Sequence, residues 1–245
     1  IPEDVNEADA GWVSERGARA ETAAPKIGMR RIAVHELYAE SKATQQLLDD
    51  AKVNVEGWLS GKIADKIART ENLAFITGTG VGQPKGILSY ATSLTPTNPG
   101  QVQQVNSGNA NLITDDGLRK LFYSVKSPYI QNAKWLMRRS TVQAVSLLKD
   151  SQGRYVWEPG LQMGDPQNLL GMPIVRMEDM PAVSAGNLAV AFGDFNKAYT
   201  IVDRMGIRML RDPFTVKPFV LFYATKRTGG DVTNFEAYSV LKISA

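Results

Sequence analysis

Few side chains in this 245-residue chain are spaced to do chemistry, and the most suggestive group is the turn Gly78-Thr79-Gly80-Val81-Gly82-Gln83-Pro84-Lys85-Gly86. Backbone amides in a glycine-rich turn cradle phosphate when they open a following helix and a lysine meets the charge. Here an amphipathic helix pattern precedes the turn instead. A phosphate loop also needs Ser or Thr after its lysine. Lys85 is followed by Gly86 and preceded by Pro84, which has no amide hydrogen to give. A dinucleotide fingerprint would need a third glycine where Gln83 stands. The turn therefore reads as a stop and reversal of the helix, with Gly78, Gly80, Gly82, Pro84 and Gly86 as its structural residues. A nucleotide-binding enzyme is the distant alternative.

The remaining reactive types offer no constellation. The chain has no cysteine and one histidine, His35, so disulfides, thiolate metal sites and multi-histidine zinc centres are excluded. His35 has no serine, cysteine or orienting acid near it in sequence and reads as a structural or surface residue. The acidic pairs Asp49-Asp50, Asp115-Asp116 and Glu178-Asp179 are adjacent, which on a helix or strand turns the carboxylates apart. Trp135 and Trp157, with Tyr155, read as core rather than as a nucleobase platform, and Met172, Met177 and Met180 as packing filler. No catalytic residue, cofactor or metal ligand is expected.

The elements that would position anything begin with that helix. Val55, Leu59, Ile63 and Ile67 recur every four residues with Trp58 beside them, Glu56, Lys62, Asp65, Lys66 and Arg69 take other faces, and Asn54 is placed to cap. Upstream, 15–31 carries Arg16, Arg19, Lys26, Arg30 and Arg31 against Glu15 and Glu21, a surplus of three that equals the formal net charge of the whole chain, +3. Its alanines, glycines and Pro25 cannot support a packed core, so this stretch reads as a mobile or partner-supported arm. Gly11 to Ser14 and Met29 to Leu37 have strand character and would flank it as a long hairpin; a solvated loop is the other reading. After the polar stretch 92–111, Thr114 caps a helix with Asp115 and Asp116 in its first turn and Leu118, Leu121, Phe122 and Val125 as its buried stripe. Ala133 to Met137 reads as a buried strand, Ser140 as the cap of a helix carrying Val142 and Val145, and Lys149 to Gly153 as a turn. Leu188 to Phe192, Ala198 to Val202, Ile207 to Leu210, Phe219 to Thr225 and Ala237 to Ile243 read as strands. Gly193-Asp194, Asp203 to Gly206 and Thr228 to Asp231 read as the turns between them. The fold class is α+β.

Composition bounds the function. With 43% hydrophobic residues the chain can bury a sizeable core. No apolar run approaches the roughly 20 residues that cross a bilayer as a helix, so no membrane partner is expected. A net charge of +3 is too small to argue dedicated nucleic-acid recognition and is compatible with weak, sequence-independent contact.

The segment from Glu71 through Gly78-Thr79-Gly80 and Gln83-Pro84-Lys85-Gly86-Ile87-Leu88, with the helix before it, resembles the tailed-phage major capsid proteins of the Hong Kong 97-type fold. Further pieces look like that family in its usual order: Asn132 to Met137, Asp150 to Tyr155, Leu170 to Val175, Phe192 to Phe195 and Asp203 to Ile207. The resemblance spans about 12 to 242. It implies a long spine helix, an extended β-hairpin loop, a P domain and an inserted A domain. The divisions would be an N-terminal arm and extended loop over 1–40, a first P-domain part with the spine helix over 41–111, the A domain over 112–200 and a second P-domain part over 201–245.

The implied function is a structural protein of the virion, not an enzyme. It would self-assemble through hexamers and pentamers into an icosahedral shell around double-stranded phage DNA, in the host cytoplasm, with portal, scaffold or protease as further partners. A shell that encloses protein cargo, like an encapsulin, is the alternative. The implied assembly residues are Trp12, Glu15, Arg16, Arg19, Lys26, Arg30 and Arg31, on a loop that lies across a neighbouring subunit. Some members link such loops by a lysine–asparagine isopeptide bond. Lys26 is the only lysine in this arm, but Pro213 stands where the acceptor asparagine would fall, so a non-covalent shell is expected. Members often lose an N-terminal scaffolding segment; a start at Ile1 fits such cleavage or a simple truncation.

Overall fold

The structure, a computed structural model, describes residues 2–6, 12, 26–50, 54–98, 100–150, 152–157 and 168–245. The chain divides into two units, 1–33 and 34–245. In the first, β1 (Pro2–Asn6) pairs antiparallel with β2 (Lys26–Met29), Glu3 opposite Gly28. The hairpin expected here thus has a different described pairing. Gly11, Val13 and Ser14 lie outside the described residues and Trp12 has no regular structure. The expected strand 29–37 is also split, because Arg30 to Ala33 is irregular and a new strand starts at Val34.

The second unit opens with β3 (Val34–Thr44), the short α1 (Gln45–Asp50) and α2 (Val55–Thr77). At 23 residues, α2 is about 34 Å long. Asn54 caps it as expected, its side chain accepting from the Gly57 amide at 2.9 Å. There follow β4 (Thr92–Ser93), β5 (Val102–Asn106), α3 (Asp115–Ser124), α4 (Ser127–Ile130), β6 (Lys134–Met137) and α5 (Arg139–Ser146). The chain continues through β7 (Asn168–Leu169), β8 (Met172–Arg176), β9 (Leu188–Gly193), α6 (Phe195–Ala198), β10 (Tyr199–Asp212), β11 (Phe219–Val232) and β12 (Tyr238–Lys242). The mixed α+β class is borne out.

Two sheets organise this unit. The larger has the order β4-β5-β12-β9-β6-β8-β7 and mixes parallel with antiparallel pairs. Its central strands are buried on both faces, which is why they read as continuous apolar runs rather than alternations. On one face Trp135, Met137, Phe192 and Leu241 pack with Leu118 and Leu121 of α3 and Val142 and Val145 of α5. On the other, Leu136, Ala191, Tyr238 and Val240 pack with Val102, Ile87 and Ile76 from the end of α2. Trp135 is fully buried and its indole N–H donates to the Leu169 carbonyl at 2.8 Å. Met180 is buried and Met172 and Met177 pack at the core margin, as filler would. Trp157 is half-buried and donates to the Asn168 carbonyl, whereas Tyr155 is exposed, against its expected place in the core.

The smaller sheet has the order β10-β11-β3, all antiparallel. α2 lies on one face: Ile63 and Ile67 pack on Ala43, Val220, Phe222 and Ala224, and Ser60 donates to the Met209 sulfur at 3.2 Å.

Several local expectations are corrected. Asp203 to Gly206 is not a turn between two strands but lies inside β10, where the pairing with β11 shifts register on both sides of Met205. Polar and glycine residues that suggest a turn are accommodated as bulges in a long strand. Thr228 to Asp231 lies inside β11 for another reason. Tyr199 and the glycine turn come so close at Gly230 that a Cβ there would fall 2.2 Å from the Tyr199 hydroxyl. Ser140 is not a cap; α5 starts at Arg139, with Arg138 at the N-cap, two residues before the expected cap, and no side-chain cap bond. The polar stretch 92–111 contains β4 and β5: Thr92 of β4 donates across to the Gln104 side chain, which donates along β5 to Asn106. Thr114 does cap α3, accepting from the Gly117 amide at 3.1 Å.

Candidate assembly surfaces

The glycine turn is built into the fold. Gly78 ends α2, its amide donating to the Ala74 carbonyl, and the chain doubles back through an isolated bridge between Thr79 and Lys85. The amides of Gly86, Ile87 and Leu88 donate to the carbonyls of Gly78, Phe75 and Ile76, and that of Lys85 to Gly230. None of these five amides is left for a phosphate. Gly80 and Gly82 take φ of 83° and 68°, a conformation that only glycine adopts without strain. At Gly86 the reason is space, since a Cβ would lie 2.4 Å from the Ile76 carbonyl.

Three tyrosines fasten the turn to the sheets. Tyr199 donates to the Lys85 carbonyl and Tyr238 to the Ile87 carbonyl, each at 2.9 Å. Tyr90 donates to Asp231, and the Lys85 ammonium sits 3.9 Å over the Tyr90 ring. Burial, then the neighbouring Tyr90 and Asp231, push the Tyr199 phenol above its ordinary range; burial does the same to Tyr238. Both hydroxyls stay protonated donors, as a clamp requires.

The apolar stripe of α2 contains a charge that periodicity alone does not reveal. The row Leu59, Ile63, Ile67 continues at the same spacing to Glu71, which is buried. Lys226 of β11 meets its carboxylate at 2.8 Å, with Asp203 at 3.7 Å on the exposed side. The pair fixes helix against sheet at the cost of desolvating both ions.

The small sheet presents a surface that the helix does not use. Strand alternation places Ala39, Ala224 and Met209 under α2, so the residues between them point the other way. Three cross-strand rows result: Lys42, Leu221 and Asp212; Glu40, Tyr223 and Leu210; Tyr38, Thr225 and Arg208. Tyr38 is 66% exposed and Leu210 60%, and the rings of Tyr38 and Tyr223 lie 6.4 Å apart. Ile201, Ile207, Phe214 and Val216, along β10 and the loop after it, are exposed too. Among the described residues β10 is also an edge, with no strand paired on its outer side. An apolar face with charged margins beside an open edge is chemistry for protein contact.

The assembly residues expected in the N-terminal arm are placed unevenly. Trp12 is fully exposed. Glu15, Arg16 and Arg19 lie outside the described residues. Lys26 begins β2, with its side chain outside the description, and Arg30 and Arg31 follow β2, Arg31 exposed and Arg30 half-buried. His35 is half-buried in β3 opposite Thr228, a structural position. Among the described residues no group of three or more His, Asp or Glu could hold a metal ion, and no helix is long and apolar enough to cross a membrane.

Comparison with known structures gives the context. The chain is similar to the capsid of a native GTA particle computed with C5 symmetry, at 42% identity and a TM-score of 0.93 over 100% of this chain and 84% of that one. The corresponding empty GTA particle gives 42% and 0.92 over the same shares. Gordonia phage Cozz shares the fold at 15% identity, with a TM-score of 0.69 over 100% of this chain and 81% of that one. No curated protein matches the chain. A family model described as the phage capsid family matches residues 1–243, in agreement with the motifs read in order along the sequence: this chain belongs to the phage capsid family.

Proposed function

We propose that this capsid protein forms a closed icosahedral shell of hexamers and pentamers around double-stranded DNA, and that its small sheet and N-terminal arm are completed by second copies of the chain. The observation that carries this is the 42% identity, across the whole chain, to the capsids of GTA particles. The occupant of the open face is another copy. A particle capsid repeats one subunit, and the face itself mixes aromatic, aliphatic and both charges in the manner of a subunit contact. A groove of about 400 Å³ between β3 and α2, lined by Leu37, Leu59 and Ile63, adjoins it.

In this reading α2 is the spine of a P domain that takes in 41–111 and 201–245, 112–200 is the A domain around the capsomer centre, and 1–40 is the arm and extended loop. Trp12, Glu15, Arg16, Arg19, Lys26, Arg30 and Arg31 carry the arm onto a neighbour through charge-assisted hydrogen bonds. With Pro213 where an acceptor asparagine would fall, Lys26 forms no cross-link and the shell is non-covalent. Portal, scaffold or protease acts during assembly in the host cytoplasm. The test is the double change Arg30→Glu and Arg31→Glu. Folded subunits that no longer form particles support the arm's role, and normal particles refute it. A ladder of linked species on a denaturing gel would overturn the non-covalent shell.

A further inference from the structure

We propose that the cleft at the carboxyl ends of β6 and β8 is a docking site for the phosphodiester backbone of nucleic acid, held by Arg138, Arg139 and Arg176. The cleft, about 800 Å³, is lined by these three arginines with Ser140, Gln143 and Glu178 among its polar walls. The topology gathers the charge. β6 and β8 are parallel, with Met137 opposite Arg176, so both strands deliver an arginine to the same end of the sheet. β6 then passes through Arg138 directly into α5. The ends of parallel strands at a strand-to-helix crossing are where open sheets receive anionic ligands, because the helix amides point outward there.

The electrostatics leave a surplus. Arg138 is occupied by Glu178, at 3.2 Å. Arg139 and Arg176 are exposed, and among the described residues neither forms an ion pair. Among the described residues four charged groups thus line the cleft, three positive and one negative. The first turn of α5 has no side-chain cap to compete for its amides.

The chemistry favours a phosphate chain over an apolar-anchored peptide. Among the described residues Val142 and Ala182 are the only apolar ones lining the cleft, too few to seat a hydrophobic anchor. Guanidinium forks meet phosphate oxygens two at a time and carry little hydration to lose. Contacts made only to the backbone hold any sequence, which suits a contact repeated at every copy of a shell. The inference goes beyond the shell reading but rests on it for the nucleic acid being present.

The test uses the full chain. A labelled random-sequence DNA duplex is titrated by fluorescence anisotropy across a salt series, against wild type, the double variant Arg139→Glu with Arg176→Glu, and the milder Arg139→Gln. The double variant is expected to bind at least about tenfold more weakly at low salt, with a log–log salt slope shallower by about 2, one for each phosphate that an arginine no longer neutralises. Arg139→Gln should show about half that slope change. Electron microscopy of the same preparations should show particles from all three proteins. Unchanged affinity and slope would overturn the proposal. So would a folded double variant that binds DNA normally but forms no particles, since the cleft would then receive an acidic surface of a second copy. A wild type that forms no particles would sink the shell reading alone, and the anisotropy series would still decide the cleft.

Discussion

The two sheets treat their strands in opposite ways. In the larger, β6 and β9 are covered on both faces: Trp135, Met137 and Phe192 are buried on one side and Leu136 and Ala191 on the other. In the smaller, β10 is exposed at nearly every position from Asp203 to Arg211, on both faces and along its edge. The first region is finished by this chain alone. The second contains a buried half, under α2, and an unfinished half that includes Tyr38, Leu210 and Phe214. Stability and the proposed assembly contact are therefore expected to be separable, and substitutions should sort by region.

The largest loss of stability is expected in the finished region. Trp135→Ala removes the centre of an aromatic group with Phe122 and Phe192 and the bond to the Leu169 carbonyl; about 3–5 kcal/mol should be lost in urea unfolding. Lys226→Met comes next, because it leaves the buried Glu71 carboxylate without its cation. About 3 kcal/mol should be lost, and the further change Glu71→Leu should recover most of it, since a buried pair replaced by apolar groups is close to neutral. Absence of that recovery would mean that the pair does more than neutralise itself. Gly86→Ala forces the turn off the end of α2 and should cost about 1–3 kcal/mol. The smallest effect on stability belongs to the unfinished region. Leu210→Asp should change unfolding by no more than about 0.5 kcal/mol and yet abolish particles in the electron microscope. A large loss of stability there would erase the contrast between the two sheets.

Much of the finished region could be read from the chain. The apolar run of β6, the Thr114 cap and the apolar stripe of α2 each depend on neighbours close in sequence, and each is where the residues placed it, except that Trp58 beside the stripe is exposed rather than turned to the core. The glycine turn was legible as a stop for the same reason, and its phosphate reading failed on local grounds, Pro84 and Gly86. What escaped depends on residues far apart. Glu71 looks like a solvated charge until Lys226 arrives from 155 positions away. Gly229-Gly230 signals a turn until Tyr199 and Lys85 come to lie against it. Asp203 to Gly206 has the composition of a turn because bulges and turns favour the same residues. The row Glu40, Tyr223 and Leu210 exists only through strand register, which no stretch of the chain encodes by itself. Arg138 and Arg176 are brought together in the same way, by the pairing of β6 with β8.

We propose that the small sheet is left open for another copy of the same chain. Electron cryomicroscopy of particles assembled from the full chain tests it most directly. Closed shells are expected in which Tyr38, Tyr223 and Leu210 lie against a neighbouring subunit. Shells in which that face stays open to solvent, or a chain that remains monomeric at every concentration, would contradict it.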